Sequence, residues 1–142
     1  MIRPIGELHL ILPCEVAAKS VVPAVRALIA KELMDEQGLK QDEVAEILGI
    51  SQSAVSKYSR KVRGRALKVE DVAEVRPFIS GMVTVLLDQT TQRTELLSLF
   101  CQACIVIRST SLMCIFCKKS DPKIDIEACG FCMTLKSDED ER

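Results

Sequence analysis

Three Cys-x-x-Cys pairs lie in the last third of this 142-residue chain: Cys101 with Cys104, Cys114 with Cys117, and Cys129 with Cys132. Nine residues separate the first two pairs and eleven the second two, so six thiols fall within 32 residues. Thiolates two residues apart can turn onto one cation. Two pairs complete a tetrahedral four-sulfur site, and three pairs exceed what one mononuclear zinc site takes. All six are therefore candidate ligands of a Cys-ligated metal centre. Zinc and iron–sulfur clusters both accept four thiolates at this spacing. Zinc ribbons favour Gly after the second Cys of a pair, whereas Ile105, Lys118 and Met133 stand there in this chain. Ile105, Val106, Ile107, Met113, Ile115, Phe116 and Phe131 would shelter a cluster from water, which tunes its potential. An iron–sulfur cluster is favoured, with zinc as the alternative; which four cysteines ligate is open. The seventh cysteine, Cys14, stands alone and is expected to be a small core residue. Disulfide scaffolding is the competing use of such pairs, but it belongs to oxidising compartments and to domains that lack a core. A thioredoxin-like redox enzyme would need a βαβ setting, and none surrounds these pairs.

A second group of residues is suited to reading a polymer. In Gly38–Arg60, GLKQDEVAEILGISQSAVSKYSR, two short helices are predicted on either side of a Gly49-Ile50 turn, which makes a helix-turn-helix. The first spans about Lys40 to Leu48, with Val44, Ala45, Ile47 and Leu48 on its apolar face and Asp42, Glu43 and Glu46 in water. Ala45 is small enough to let two steeply crossing helices approach. Gly49 can take the left-handed conformation that ends the first helix, and Ile50 plugs the core below the turn. Ser51 is a good N-cap for the second helix, whose Ala54, Val55 and Tyr58 face inward. Gln52, Ser53, Ser56 and Lys57 then face outward. Gln can offer donor and acceptor together to adenine, and Ser can bond a base or a phosphate, so Gln52 and Ser53 are the base-contact candidates. Gln41, at the head of the first helix, is placed to hold a phosphate and to support Gln52.

The segment LKQDEVAEILGISQSAVSKY is similar to the DNA-binding helices of the phage-repressor-like, XRE-type family. The resemblance covers about 20 residues. It implies a small all-helical bundle in which Gln41 and the Gln52-Ser53 pair contact an operator. Ser56 and Lys57 fall where that family varies, so the operator sequence is not implied. Beyond the motif, the chain resembles predicted archaeal transcriptional regulators in which such a domain, entered through an LPCE-like segment (here Leu12 to Glu15), precedes a cysteine-rich tail.

Charge agrees with DNA. Lys57, Arg60, Lys61, Arg63, Arg65 and Lys68 fall within twelve residues that contain no Asp or Glu, although the whole chain carries a net charge of -1. Positive field is thus concentrated beside the reading helix. The DNA-binding candidates are Gln41, Ser51, Gln52, Ser53, Ser56, Lys57, Arg60, Lys61 and Arg63. Aromatic residues make up 4% of the chain, with no Trp, which argues against the stacking platforms of single-strand and RNA binders. Double-stranded DNA is the expected partner.

The remaining elements must position these groups. A short helix near Glu15 to Val22 is expected, then a longer one from Pro23 to about Glu36 with Val25, Leu28, Ile29 and Leu33 buried. Another is expected over Glu70 to Leu87, apolar enough in its later half to need a partner surface: a homodimer interface, or burial within the chain. A helix from Gln92 to about Ile107 would end at the first cysteine pair. His9 reads as an ordinary strand or surface residue. Ile5 to Leu12 lacks a basic leader and a cleavage site, so no signal peptide is expected. No apolar run reaches the roughly 18 to 20 residues of a membrane span. The expected location is cytoplasmic.

The sequence therefore predicts an all-α protein, a lambda-repressor-like helical DNA-binding domain followed by a helical, Cys-rich metal-binding tail. The expected divisions are 1–68 for the DNA-binding domain, 69–100 for a helical linker and dimerisation region, 101–135 for the metal-binding region and 136–142 for an acidic tail. The expected function is non-enzymatic: a transcription regulator that binds specific double-stranded DNA and responds to metal or redox state, with no membrane or small-molecule substrate. A metal-stabilised protein-interaction adaptor is the alternative, and a thiol-disulfide redox enzyme the third reading.

Overall fold

The computed structural model describes residues 10–60, 67–88, 90 and 92–135, and every regular element among them is helical. Helix α1 spans Pro13–Asp35, α2 Gln41–Leu48, α3 Gln52–Ser59, α4 Arg76–Leu87 and α5 Arg93–Ser109; three short helices follow, α6 at Cys114–Ser120, α7 at Ile126–Cys129 and α8 at Phe131–Thr134. His9, the basic positions Lys61, Arg63 and Arg65, and the acidic run Asp138 to Glu141 lie outside the described residues.

The first element corrects the expectation of two helices, because α1 runs unbroken through Pro23. Proline at that position removes one amide donor and crowds the preceding turn, at a cost of about 3 kcal/mol in a helix interior. Burial on both sides of it holds the helix together: Val16, Ala17 and Val21 upstream, and Ala24, Val25, Ile29 and Leu33 downstream, belong to one core. Pro13 supplies the first turn, where a missing amide costs nothing. The Glu15 carboxylate accepts from the Leu12 amide at 3.3 Å and so closes that end.

Proline acts differently at the start of α4. The expected helix from Glu70 is replaced by two 3-10 turns, Val69–Asp71 and Ala73–Val75, and the α-helix begins only at Arg76, one residue before Pro77. Upstream of Pro77 the exposed Glu70, Asp71 and Glu74 gain nothing from a continued helix, and Val69 and Val75 reach the core from the tighter turns.

α1 is the hub: α2, α3, α4, α5 and α6 all pack on it. α4 and α5 pair with each other, and Ile79, Met82 and Val83 of α4 are buried within the chain. The apolar half of α4 is therefore largely satisfied without a second copy. Among the described residues no single helix is long and apolar enough to cross a membrane; α5 and α6 reach that length only together, with an 84° bend between them.

Candidate nucleic-acid interface and cysteine cluster

α2 and α3 form a helix-turn-helix whose ends are held by local hydrogen bonds. The Lys40 amide donates to Glu43 Oε2 at 2.8 Å, satisfying an otherwise unpaired donor at the start of α2. At its other end Gly49 adopts φ 66°, ψ 33°, while the Gly49 and Ile50 amides donate back to the Glu46 and Ala45 carbonyls at 3.3 and 3.1 Å. This pair of bonds is a Schellman turn, and the left-handed residue at its centre is the reason for glycine there. One residue on, Ser51 Oγ accepts from the Ala54 amide at 3.1 Å and caps α3. Ser51 is thus engaged as a cap, with its hydroxyl hydrogen left to donate to a phosphate.

The interior of the motif is closed: Val44 and Val55 are 0% exposed, and Ala45, Tyr58 and Leu33 join them in the core. This burial fixes which face of α3 points away from the protein. Gln52, Ser53 and Arg60 are exposed, and Ser56 and Lys57 are half-buried on the same short helix. Gln41 is half-buried at the first position of α2, at the end opposite the turn. The outward residues thus place amide and hydroxyl groups at the N-terminal end of a rigidly seated helix and cationic donors, Lys57 and Arg60, at its C-terminal end, a set suited to base-edge and phosphate contacts.

The six paired cysteines are distributed over α5 (Cys101, Cys104), α6 (Cys114, Cys117), α7 (Cys129) and α8 (Cys132). Cys101 and Cys104 lie inside α5, which continues for another turn to Ser109, and do not end it. That extra turn carries Arg108, four residues after Cys104 and so on the same helix face. Arg108 is 8% exposed and donates from Nε to Cys132 Sγ at 3.4 Å, joining α5 to α8. Ser111, at φ 68°, then turns the chain so that α6 folds back beside α1.

Four of these cysteines line one space. Cys114, Cys117, Cys129 and Cys132 line a cavity of about 590 Å³, with Arg108 on one wall and Ile11, Pro13 and Val16 from the start of α1 on another. Among the described residues, no three Cys, His, Asp or Glu side chains stand close enough together to hold a single metal ion. Cys101 and Cys104 are not on the cavity lining, and Cys101 is exposed. Burial pushes the Cys117 thiol above its ordinary value, helped by the charges of Cys132, Cys114 and Cys129. Burial likewise raises Cys104, against the opposing pull of Arg108. Burial works against the Arg108 cation, but the hydrogen bond and charge of Cys132, with Cys104 and Cys14 behind them, more than offset it.

Cys14 is not the core residue expected. It is exposed on the first turn of α1, near enough to Cys104 and Arg108 for its charge to act on both. The first turn of a helix buries few of its side chains, and here Val16 and Ala17 fill the core positions. Nothing in local sequence could have linked Cys14 to α5, whereas the Cys104-to-Arg108 spacing was a readable sign that an arginine belongs to the thiol cluster. Ile107 and Met113 are buried as a shelter requires, but Ile115 and Phe131 are exposed.

Residues 31–74 match a family model described as helix-turn-helix, which covers the end of α1, both motif helices and the 3-10 turns. The match supports a DNA-binding transcription regulator with an XRE-type motif. No curated protein and no solved structure matches the chain.

Proposed function

We propose that this protein is a sequence-specific regulator of transcription that acts in the cytoplasm, reads double-stranded DNA with α3, and carries a Cys-ligated metal centre in its second half. One observation carries the DNA reading: the match over residues 31–74 falls on a capped helix pair whose buried face leaves Gln52 and Ser53 pointing outward at the start of α3. In this reading Gln52 and Ser53 meet base edges. Gln41, Ser51, Ser56, Lys57 and Arg60, with Lys61 and Arg63 outside the described residues, hold phosphates.

The protein acts as a homodimer in this proposal, because two-fold DNA sites are read by paired recognition helices about 34 Å apart. The central apolar residues of α4 are used within the chain, so the exposed Leu87 and Leu97 are the large apolar groups that α4 and α5 offer a partner copy among the described residues. Sedimentation should give a dimer, and Leu97→Asp should shift it to the monomer.

The metal centre rests on the thiols around Arg108. Their chemistry suits iron or zinc, but a single tetrahedral ion needs every sulfur at about 2.3 Å from one point. Such a grouping is absent among the described residues, and the preference for an iron–sulfur centre over zinc rests on the sequence, where Ile105, Lys118 and Met133, not Gly, follow the second Cys of each pair. When bound, that centre supplies a redox couple and a dependence on iron supply. The chain's own contribution to signalling is α1. Its first turns wall the cavity, and its last turns pack on α3 around Tyr58. A change in how the thiols are held therefore bears on the same rigid helix that seats the reading head. Allostery follows if the centre favours one arrangement of α1 over another.

The test is duplex selection from a random pool by the full chain, purified without oxygen, followed by titration across salt. A regulator with several phosphate contacts should enrich a defined sequence and lose affinity linearly in log salt. An adaptor that uses the same hairpin for protein contacts would enrich nothing and show no salt slope.

A further inference from the structure

One cation in the tail lacks the partner that its burial calls for. Arg108 is 8% exposed, and an arginine so buried ordinarily has a carboxylate beside it. Its partners among the described residues are thiol sulfurs instead: Cys132, at 3.4 Å from Nε, and Cys104, with Cys14 behind them. A thiol sulfur is a weak acceptor and offers an arginine neither the charge nor the two-pronged geometry of a carboxylate. The same guanidinium lies on the wall of the 590 Å³ cavity.

The rest of that lining is apolar where it is buried and acidic where it is open. Val16 and Met113 are buried, and Ile124 and Ile126 are half-buried. Ile11, Phe131 and Met133 also line the cavity, and all three are large apolar side chains that the fold leaves open to solvent. The carboxylates of the lining, Asp121, Asp125 and Glu127, come from the stretch between α6 and α7, with Lys123 among them. Asp125 and Glu127 are exposed, and Asp125 is engaged as the cap of α7, accepting from the Ala128 amide at 3.3 Å.

We propose that this cavity binds a small organic acid, with a single carboxylate paired to Arg108 and an apolar body of about ten carbons lying against Val16, Met113, Ile124, Ile126 and Phe131. The site goes beyond the DNA and metal-centre readings and needs neither, because it uses the cation and the apolar walls rather than the thiols.

Three features select this class of ligand. A guanidinium matches a carboxylate through two parallel N–H donors, and the pairing is strong where water is largely shut out. The apolar walls favour a hydrocarbon body, which would cover side chains that now face solvent. The acidic stretch sets the charge: one arginine balances one negative charge, and a second would meet Asp121, Asp125 and Glu127. Dicarboxylates and phosphate are disfavoured for that reason. Ile11, Pro13 and Val16 bring the occupant against the start of α1, the helix on which α3 packs.

The experiment titrates decanoate, below its micelle concentration, into the full chain as purified with its thiols reduced, and follows the heat of binding. Decan-1-ol, decanedioate and inorganic phosphate are the comparisons. Decanoate should bind saturably at one site per chain, and each of the other three at least about tenfold more weakly. Arg108→Met should bring acid and alcohol to the same affinity, and Arg108→Lys should restore part of the difference. Phe131→Asp, at an exposed position, should keep the circular dichroism of the parent and weaken both acid and alcohol. No saturable decanoate binding by the unaltered protein, or equal affinity for acid and alcohol, would overturn the site. An Arg108→Met protein that is folded and still prefers the acid would remove Arg108 from it, and undiminished binding by Phe131→Asp would place the acid outside this cavity.

Discussion

The helix-turn-helix and the cysteine-bearing tail are built on opposite principles. α2 and α3 surround side chains that solvent does not reach, Val44 and Val55 at 0% exposure, and every turn between them is closed by a cap or a left-handed glycine. α6, α7 and α8 contain no buried residue, and three of their large apolar groups are open: Ile115 at 59%, Phe131 at 49% and Met133 at 57%. Apolar burial supplies most of the free energy of a small domain, and helices of four to seven residues have almost no stability of their own. The first region therefore folds on its core. The second packs on α1 and α5 only through half-buried side chains such as Phe116, Cys117 and Cys132, with Arg108 to Cys132 and Lys118 to the Ile124 carbonyl as further links, and it has the most to gain from a bound group. A reading head with a closed core, joined through α1 to a tail without buried residues, is the arrangement our proposal of a ligand-controlled regulator uses.

The largest expected contrast is in stability. In the metal-free protein Leu33→Ala, in the core under the motif, should cost about 2 to 5 kcal/mol in urea unfolding. Phe131→Ala should stay within about 0.5 kcal/mol. Equal costs would erase the distinction between the two regions. Next in size, loading with iron and sulfide should slow amide exchange across 114–134 by at least about tenfold, roughly 1.4 kcal/mol of local stability, and leave α2 and α3 unchanged. Uniform slowing over the whole chain would instead indicate one cooperative unit. A sharper comparison uses two left-handed glycines. Gly49→Ala should cost about 1 to 2 kcal/mol because its left-handed turn sits on the core, whereas Gly130→Ala, also left-handed but in a tail without buried residues, should cost less of the global stability. The smallest effect is at the cap: Ser51→Ala should lower stability by about 1 kcal/mol by thermal melting, and Ser51→Asp should recover most of it.

How much was legible in the sequence follows from the same contrast. The motif could be read residue by residue because its structure is set locally, by the spacing of Val44, Val55 and Tyr58, the turn at Gly49 and the cap at Ser51. Pro23 misled because the local rule against interior proline lost to a buried stripe running along both halves of α1, whereas Pro77, preceded by exposed acidic residues, met no such opposition. The cysteine pairs pointed to a metal centre, which stands as a proposal, and could not show which of them line one cavity, since that depends on how the helices fold. Arg108 could be tied to Cys104 by spacing, but its bond to Cys132 and the place of Cys14 beside α5 could not be read, because those partners are far away in sequence. The basic run beside α3 stayed a matter of charge, because Lys61, Arg63 and Arg65 lie outside the described residues.

The most direct measurement is the affinity of the full chain for a selected duplex and for a scrambled one, in the unaltered protein, Gln52→Ala and Arg60→Ala. If α3 reads bases as its exposed face implies, Gln52→Ala should weaken binding to the selected duplex by about 1 to 3 kcal/mol and leave the scrambled duplex nearly unchanged. Arg60→Ala should weaken both alike and flatten the salt dependence. Equal losses from Gln52→Ala on the two duplexes, or no preference for either duplex in the unaltered protein, would contradict sequence reading by this helix.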